Sequence, residues 1–169
     1  MPAESGGALS PAVPRHISGP VDSTPYRVTA RLAMPDATTS MLFESTLPTG
    51  HTIQVDVSPQ FGGNSLGPEP KQLLLVSLGA CTGLDVISIL RKKRQDVTHY
   101  SINVLATEAT DHPKIYTSIL VEHVVGGRSI DPRAVDRAIE LSITRYCPVH
   151  ALLSQVIPIE HVYRVLEEV

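Results

Sequence analysis

The alternation of polar and apolar residues in the first part of the chain predicts a small sheet. Residues 26–34, 41–46 and 51–57 mix β-branched and other apolar residues with polar ones, as half-buried strands do. The turn sequence Leu-Pro-Thr-Gly at 47–50 joins the last two segments and predicts a hairpin. A loop rich in glycine and proline, 58–70, then separates this sheet from the next element.

The pattern changes over 73–90, an almost uninterrupted apolar run that predicts one long helix. Pro70 suits its first turn, and the basic cluster at 91–94 suits its last turn, where the helix dipole favours cations. Asp85 lies near the centre of the run and argues against a membrane span, because a carboxylate at mid-depth is costly. We therefore expect the central helix of a globular core, covered on one side by another chain.

Three strands are expected in the second half of the chain. Residues 98–108 and 114–125 are rich in β-branched side chains and are separated by a short turn, so they predict an antiparallel pair. A closing strand is expected over about 157–166, where apolar residues alternate with Glu160 and Arg164.

Two shorter helices are predicted between these strands. Asp131 as N-cap and Pro132 at the first helical position begin a helix that is expected to run to about Arg145. Pro148 must interrupt it, because proline lacks an amide hydrogen and crowds the preceding turn. A short third helix is therefore expected over 148–155.

The 169 residues, 42% of them hydrophobic, are enough for the core of one domain. Residues 1–25 are rich in proline, glycine and serine and poor in apolar side chains, so this segment is expected to be a flexible arm. The folded domain is expected at 26–169.

The charge pattern favours a small-molecule substrate. The formal net charge is -3 and nothing in the sequence resembles an extended basic face, so no nucleic-acid partner is expected. The amino terminus lacks the basic start and apolar core of a signal peptide, and the expected location is the cytoplasm, without a membrane partner.

Cys81 and Cys147 are the only cysteines in the chain. Two thiols can supply a peroxide-attacking thiolate and a resolving partner, the minimum set for reducing a peroxide through a disulfide. In a reducing compartment such a disulfide would be transient and catalytic rather than structural. The cysteine pair therefore indicates redox chemistry.

Five short motifs together carry a family resemblance. They are Gly-Pro-x-Pro-x-x-Leu-Leu-Leu at 67–75, Leu-Gly-Ala-Cys-Thr at 78–82, Asp-Val-x-Ser-Ile-Leu at 85–90, Arg-Gln-Asp-Val at 94–97 and Tyr-Cys-Pro-Val at 146–149. This set resembles the osmotically inducible protein C (OsmC) and organic hydroperoxide resistance superfamily, and within it the OsmC-like branch. The resemblance covers about residues 26–169.

The resemblance implies an α/β (α+β) fold built as an intertwined homodimer, with long central helices wrapped by antiparallel β-sheets. It also implies a peroxiredoxin-like hydroperoxide reductase, which acts on organic hydroperoxides at the subunit interface and is regenerated by a cellular dithiol. In this interpretation Cys81 attacks the peroxide and Cys147 resolves the sulfenic acid. No bound cofactor is expected.

The resemblance further implies an active-site arginine from the early strands, for which Arg27 and Arg31 are the candidates. In the family a glutamate ten residues before the first cysteine holds this arginine, and here that position is Lys71. Our hypothesis is that Asp85 replaces the glutamate and holds the arginine over the Cys81 sulfur. The alternative is that Asp85 pairs with a core neighbour or faces the partner helix.

The two thiols are expected to differ in acidity. Burial among apolar side chains and the nearby charge of Asp85 would raise the pKa of Cys81. Cys147 precedes Pro148 at a helix start, where free amides favour an anion, so the residues alone rank it as the more acidic thiol.

Other interpretations stay open. Cys81 could be a core residue between Gly79 and Gly83, two small residues that would let a partner helix approach closely. Cys147 and His150, with Cys81, could bind a metal ion, although structural zinc generally has four ligands.

Two other functions also stay open. The protein could be a non-enzymatic dimer that binds an apolar or electrophilic small molecule at the interface. It could also be a thiol-modifying or hydrolytic enzyme with Cys81 as nucleophile, although no convincing cysteine-histidine-acid set is evident.

Overall fold

The computed structural model describes residues 27–33 and 41–167. The arm expected at 1–25 lies outside the described residues. The elements follow in the order β-β-β-α-β-β-α-α-β, and a 3-10 turn, Pro59–Phe61, lies between the third strand and the long helix.

The first three strands form an antiparallel sheet: β1, Thr29–Leu32, pairs with β2, Phe43–Thr46, and β2 pairs with β3, Thr52–Val55. The hairpin expected around residues 47–50 is confirmed. Most residues of this N-terminal sheet are exposed, apolar ones included, and within the described residues none of its strands pairs with the second sheet.

The long helix α1 spans Pro70–Lys92, close to both predicted ends. At its start the amide of Glu69 donates to Oε1 of Gln72 over 3.1 Å, which satisfies a backbone donor at the helix entry. With 23 residues and a mean hydropathy of 2.1 over its most apolar window, α1 has the length and composition of a membrane span. Central helices of globular cores share these properties, so the feature alone is weak evidence for a membrane.

The second sheet contains β4, Asp96–Glu108, β5, Tyr116–Arg128, and β6, Ile159–Glu167. The antiparallel β4–β5 pair is confirmed, and β5 lies in the middle of the sheet. The expectation of purely antiparallel sheets needs one correction, because β6 pairs with β5 in parallel. A parallel pair requires a crossover connection, and here two helices and a turn supply it.

That crossover contains α2, Pro132–Leu141, a π-helical turn, Ser142–Tyr146, and α3, Pro148–Leu153. The helix expected to reach Arg145 therefore ends as an α-helix at Leu141 and continues as the wider turn. The Asp131 side chain accepts from the Arg133 amide, which confirms the predicted N-cap.

The helix α1 lies on β4 and also packs against α2, the π-helical turn and α3. A Cβ added at Gly79 would meet Val104 Cγ2 at 2.9 Å, and one added at Gly83 would meet Ile102 Cδ1 at 2.7 Å. The two glycines therefore allow close approach of a strand of the same chain, the role that the sequence analysis left open for a partner helix.

Candidate functional site

The fold brings the two cysteines together. Cys81 lies in the middle of α1 and Cys147 directly precedes α3, and their Sγ atoms are 2.8 Å apart. Both thiols are free. Because a disulfide has an S–S distance of about 2.0 Å, a small side-chain movement would be enough to form the bond. We call this pair the dithiol.

The residues around Cys147 explain its position. Pro148 starts α3 and leaves Cys147 extended, with φ -77° and ψ 102°, at the N-cap position. Its Sγ accepts a hydrogen bond of 3.3 Å from the His150 amide and lies 3.8 Å from Oγ1 of Thr82 on α1. The helix start predicted directly after Cys147 is therefore confirmed, and the structure shows that its sulfur takes the place of the usual oxygen cap.

The Cys81 thiol is in an environment that disfavours the thiolate. Burial raises the pKa of Cys81 to about 11, and the neighbouring Cys147 thiol and the negative charge of Asp85 act in the same direction. The Val149 amide donates to the sulfur and opposes this shift. The start of α1 is too distant to help Cys81, as its sequence position indicates, but the first turn of α3 provides this donor across the fold.

Asp85 also belongs to the site. One oxygen of its carboxylate lies within 4.8 Å of both sulfurs, and its Oδ2 accepts a 3.0 Å hydrogen bond from the buried hydroxyl of Ser142. The core neighbour considered as an alternative partner for Asp85 is therefore Ser142. This bond also ties α1 to the π-helical turn that leads to Cys147.

The candidate arginines lie elsewhere in the chain. Arg27 lies two residues before β1, and Arg31 lies within β1 opposite Glu44. Within the described residues of one chain, neither arginine forms a salt bridge or hydrogen bond with Asp85. One chain therefore assembles the thiols and the carboxylate of the predicted site without its guanidinium.

Lys71, at the position of the family glutamate, is held away from the dithiol. Its Nζ lies 2.8 Å from Oε1 of Glu108 and donates to the Lys114 carbonyl over 2.8 Å. The ammonium also lies 4.9 Å from the ring centroid of Tyr116. Lys71 therefore fixes the start of α1 to the ends of β4 and β5.

The sequence left open a metal site, and the geometry can be compared with one. Cys81, Asp85 and Cys147 could offer three ligand atoms, whereas the His150 ring is directed to a different partner. Two thiolates on one tetrahedral zinc ion lie roughly 3.7 Å apart, since each Zn–S bond is about 2.3 Å. The 2.8 Å between the sulfurs is too short for that arrangement and favours thiol chemistry.

Behind the dithiol lies a feature that the sequence analysis missed, which we call the histidine chain: Tyr100, His123, His161 and His150. Tyr100 Oη lies 2.8 Å from His123 Nδ1, His123 Nε2 lies 3.2 Å from His161 Nδ1, and His161 Nε2 lies 3.2 Å from His150 Nδ1. The residues come from β4, β5, β6 and α3 in that order. They cross the inner face of the whole second sheet.

Burial keeps the rings of the histidine chain neutral. It lowers the pKa of His123 to about 4 and that of His161 to about 3, and it also lowers the pKa of His150. The alternation of β5 and β6 carried a signal for these residues, because His123 and His161 occupy the same inward positions as Val121 and Ile159. Their linear spacing carried none, since 38 residues separate them.

An open apolar groove of about 650 Å³ runs along the junction of α1 and β4. Its walls include Val76, Leu84 and Ile102, and Tyr100, the first member of the histidine chain, also lines it. Val76 and Leu84 are 61% and 71% exposed, so the described residues of a single chain leave this side of the apolar helix uncovered.

A long apolar helix on a mixed sheet, with a cysteine on the helix in contact with a second cysteine before a short helix, defines an α+β dithiol protein. Residues 62–162 match the family model of the OsmC-like proteins. The chain belongs to this family, and both the recognition from sequence motifs and the predicted α+β fold are confirmed.

Individual relatives agree with this assignment. Protein YhfA of Escherichia coli K12 is 35% identical over 119 residues, which cover 69% of this chain and 84% of YhfA. The crystal structure of a hypothetical protein from Aquifex aeolicus superposes with a TM-score of 0.71 at 30% identity, covering 85% of this chain and 98% of that one. The organic hydroperoxide resistance protein OhrB of Bacillus subtilis has the same fold, with a TM-score of 0.54 at 17% identity and coverage of 83% and 98%.

Proposed function

We propose that this protein is a thiol-dependent peroxidase that reduces organic hydroperoxides through a Cys81–Cys147 disulfide cycle. The observation that carries the proposal is the 2.8 Å separation of two free thiols contributed by α1 and by the residue before α3. Membership of the OsmC-like family, whose fold is shared by organic hydroperoxide resistance proteins, supports the choice of substrate.

The burial of the two thiols supports their assigned roles. Cys81 is partly exposed, whereas Cys147 is only 2% exposed, so a peroxide reaches Cys81 first. Its thiolate attacks the outer peroxide oxygen, the O–O bond breaks, and the leaving alkoxide takes up a proton to give the alcohol. Cys147 then attacks the sulfenic sulfur, and water leaves as the disulfide forms. A dithiol reductant of the cell returns two electrons and two protons and restores both thiols.

The protein acts as a homodimer in this proposal. Exposed apolar side chains lie along α1 and over the N-terminal sheet, for example Leu84 at 71%, Val76 at 61% and Phe43 at 44%. Apolar surface of this extent marks an interaction surface. A second copy would cover α1, as the family resemblance implies.

The same arrangement would complete the site with a cation. Thiolate formation at Cys81 requires positive charge, because burial raises the pKa of its thiol to about 11. We infer that the N-terminal sheet of a second copy brings Arg27 or Arg31 to the dithiol. The reducing cytoplasm is the compartment in which dithiol regeneration fits.

The test is a thiol titration with tert-butyl hydroperoxide. One equivalent should remove both free thiols and give an intrachain disulfide. Mass spectrometry under non-reducing conditions should detect this as the loss of two hydrogen atoms. The Cys147→Ser variant should stop at the Cys81 sulfenic acid, which dimedone traps. The Cys81→Ser variant should consume the hydroperoxide about tenfold more slowly or slower still. Unchanged consumption of the hydroperoxide in Cys81→Ser would overturn the proposal.

The apolar groove supports a second candidate, a non-enzymatic dimer that binds an apolar or electrophilic small molecule. The Cys81→Ser variant separates the two functions. The binding function would be supported if the unsubstituted protein consumes no hydroperoxide and the Cys81→Ser variant still binds an apolar dye.

A further inference from the structure

The peroxidase chemistry needs two sulfurs and a cation, and it gives no role to the histidine chain. Buried polar side chains are costly unless they are paired, and His123 is fully buried. Three imidazoles and a phenol in the middle of an apolar sheet face therefore need an explanation.

The hydrogen-bonding pattern of the chain is consistent from end to end. Each of the two central rings, His123 and His161, turns Nδ1 towards Tyr100 and Nε2 towards His150. A neutral imidazole has one donor and one acceptor nitrogen, so donation by the Tyr100 hydroxyl fixes the same tautomer in every ring. All the internal contacts are then satisfied at once, and the histidine chain forms one continuous hydrogen-bonded connection across the sheet.

The histidine chain ends on α3, at the same turn that contacts the dithiol. In this tautomer the ring of His150 accepts the last bond from His161 at Nδ1, while the backbone amide of His150 donates to Cys147 Sγ. The preceding amide, that of Val149, donates to Cys81 Sγ. A displacement of this single turn would therefore remove one amide donor from each of the two sulfurs.

We propose that the histidine chain positions α3 against the sheet, holds the Val149 and His150 amides on the two sulfurs, and thereby sets the reactivity of the dithiol. His161 is the central positioning residue, since it joins β6 to α3. The inference rests on the proposed function only for its catalytic consequence, because the reactivity of the thiols can be measured without a peroxide.

Two substitutions of His161 separate its two bonds. An asparagine side chain places its amide near Nδ1 of histidine, so His161→Asn keeps the contact with His123 and loses the contact with α3. A glutamine reaches the position of Nε2, so His161→Gln keeps the contact with His150 and loses the other. His99→Gln, an exposed substitution on β4, is the matched control.

The readout is the rate at which iodoacetamide alkylates each cysteine, followed by peptide mass spectrometry over a range of pH. In the His161→Asn variant, iodoacetamide should alkylate Cys81 about tenfold more slowly near neutral pH. This is the effect expected when the pKa of the thiol is raised by about one unit. His161→Gln and His99→Gln should stay within about twofold of the unchanged protein, a factor that corresponds to a few tenths of a pKa unit.

Equal losses in His161→Asn and His161→Gln would overturn the proposal and would favour a proton path, which either substitution interrupts. Unchanged rates in His161→Asn would also overturn it. If His161→Asn does not fold, the pair His150→Asn and His150→Leu tests the same bond from the α3 side, and only His150→Leu should slow alkylation. A protein that shows this difference but consumes no hydroperoxide would keep the positioning role and lose the peroxidase assignment.

Discussion

The two sulfurs of the site are chemically unequal although they are in contact. Cys81 is partly exposed and receives one amide donor, from Val149, against burial and the charge of Asp85. Cys147 is buried and caps α3 through the His150 amide. The residue that a peroxide can reach is therefore one whose surroundings disfavour the thiolate.

Asp85 allows a test of this imbalance by substitution. Its negative charge contributes to the raised pKa of Cys81, so Asp85→Asn should lower that pKa by a few tenths of a unit and speed alkylation about twofold near pH 8. The sign follows because a neutral amide no longer disfavours the thiolate. The asparagine can still accept the Ser142 hydroxyl, which preserves the link between α1 and the π-helical turn.

The pH dependence of iodoacetamide alkylation measures this effect, with the exposed Asp136→Asn as control. The opposite sign, a slower reaction in Asp85→Asn, would contradict the charge argument. It would show instead that the carboxylate holds a cation over the sulfur in the assembled protein, as the arginine hypothesis requires.

At the scale of elements, the seam between α1 and β4 decides where Cys81 lies. Gly79 and Gly83 lie on either side of Cys81 and bring the helix close to the sheet, at Val104 and Ile102. Glycine costs a helix about 1 kcal/mol relative to alanine. The close approach offsets this cost, and it sets the depth at which the helix presents its thiol to α3.

Alanine at the two positions should have different effects. At Gly79 the new methyl group meets a γ-methyl of Val104, which is stiff because valine branches at Cβ. At Gly83 it meets the terminal methyl group of Ile102, which can move. Gly79→Ala should therefore lower the free energy of unfolding by about 1 kcal/mol, since overpacking exceeds the gain in helix propensity.

Gly83→Ala should be nearly neutral, because the two contributions cancel. Urea denaturation of both variants beside the unchanged protein measures the difference. A Gly79→Ala variant more stable than Gly83→Ala would show that the helix can move away from β4 at that end.

At the scale of the whole molecule, the described residues of a single chain leave apolar surface exposed on two elements. The helix α1 is apolar almost all round. One side of it is covered by β4, α2 and α3, whereas among residues 27–33 and 41–167 nothing covers the side bearing Leu84. The N-terminal sheet is exposed as well and carries the candidate arginines. These two surfaces are what a second copy would bury in the proposed dimer.

The dimer predicts the effect of a charge on the open side of α1. Leu84→Glu should shift the mass in sedimentation equilibrium from twice the chain mass towards the chain mass of 18.2 kDa, since burying a carboxylate at an interface is costly. Leu105→Glu is the matched control, because Leu105 is 55% exposed on the face of β4 turned away from α1. Leu84→Glu with unchanged mass would place the self-association surface elsewhere.

Local signals in the sequence determined the elements and the candidate chemistry. Pro70 and the basic cluster fixed the ends of α1, Asp131 and Pro132 fixed the start of α2, and Pro148 placed Cys147 at a helix start. Each of these signals acts within one or two turns of the chain, which is why residue patterns alone are enough to read them.

Only the tertiary structure decided which of these residues meet. The contact between sulfurs 66 residues apart, the parallel pairing of β6 and the passage of the histidine chain through four elements all depend on how the crossover returns to the sheet. No local pattern encodes that path, because it results from burying α1 and the sheet face against each other. The same packing supplied the Val149 amide that Cys81 could not obtain from its own helix.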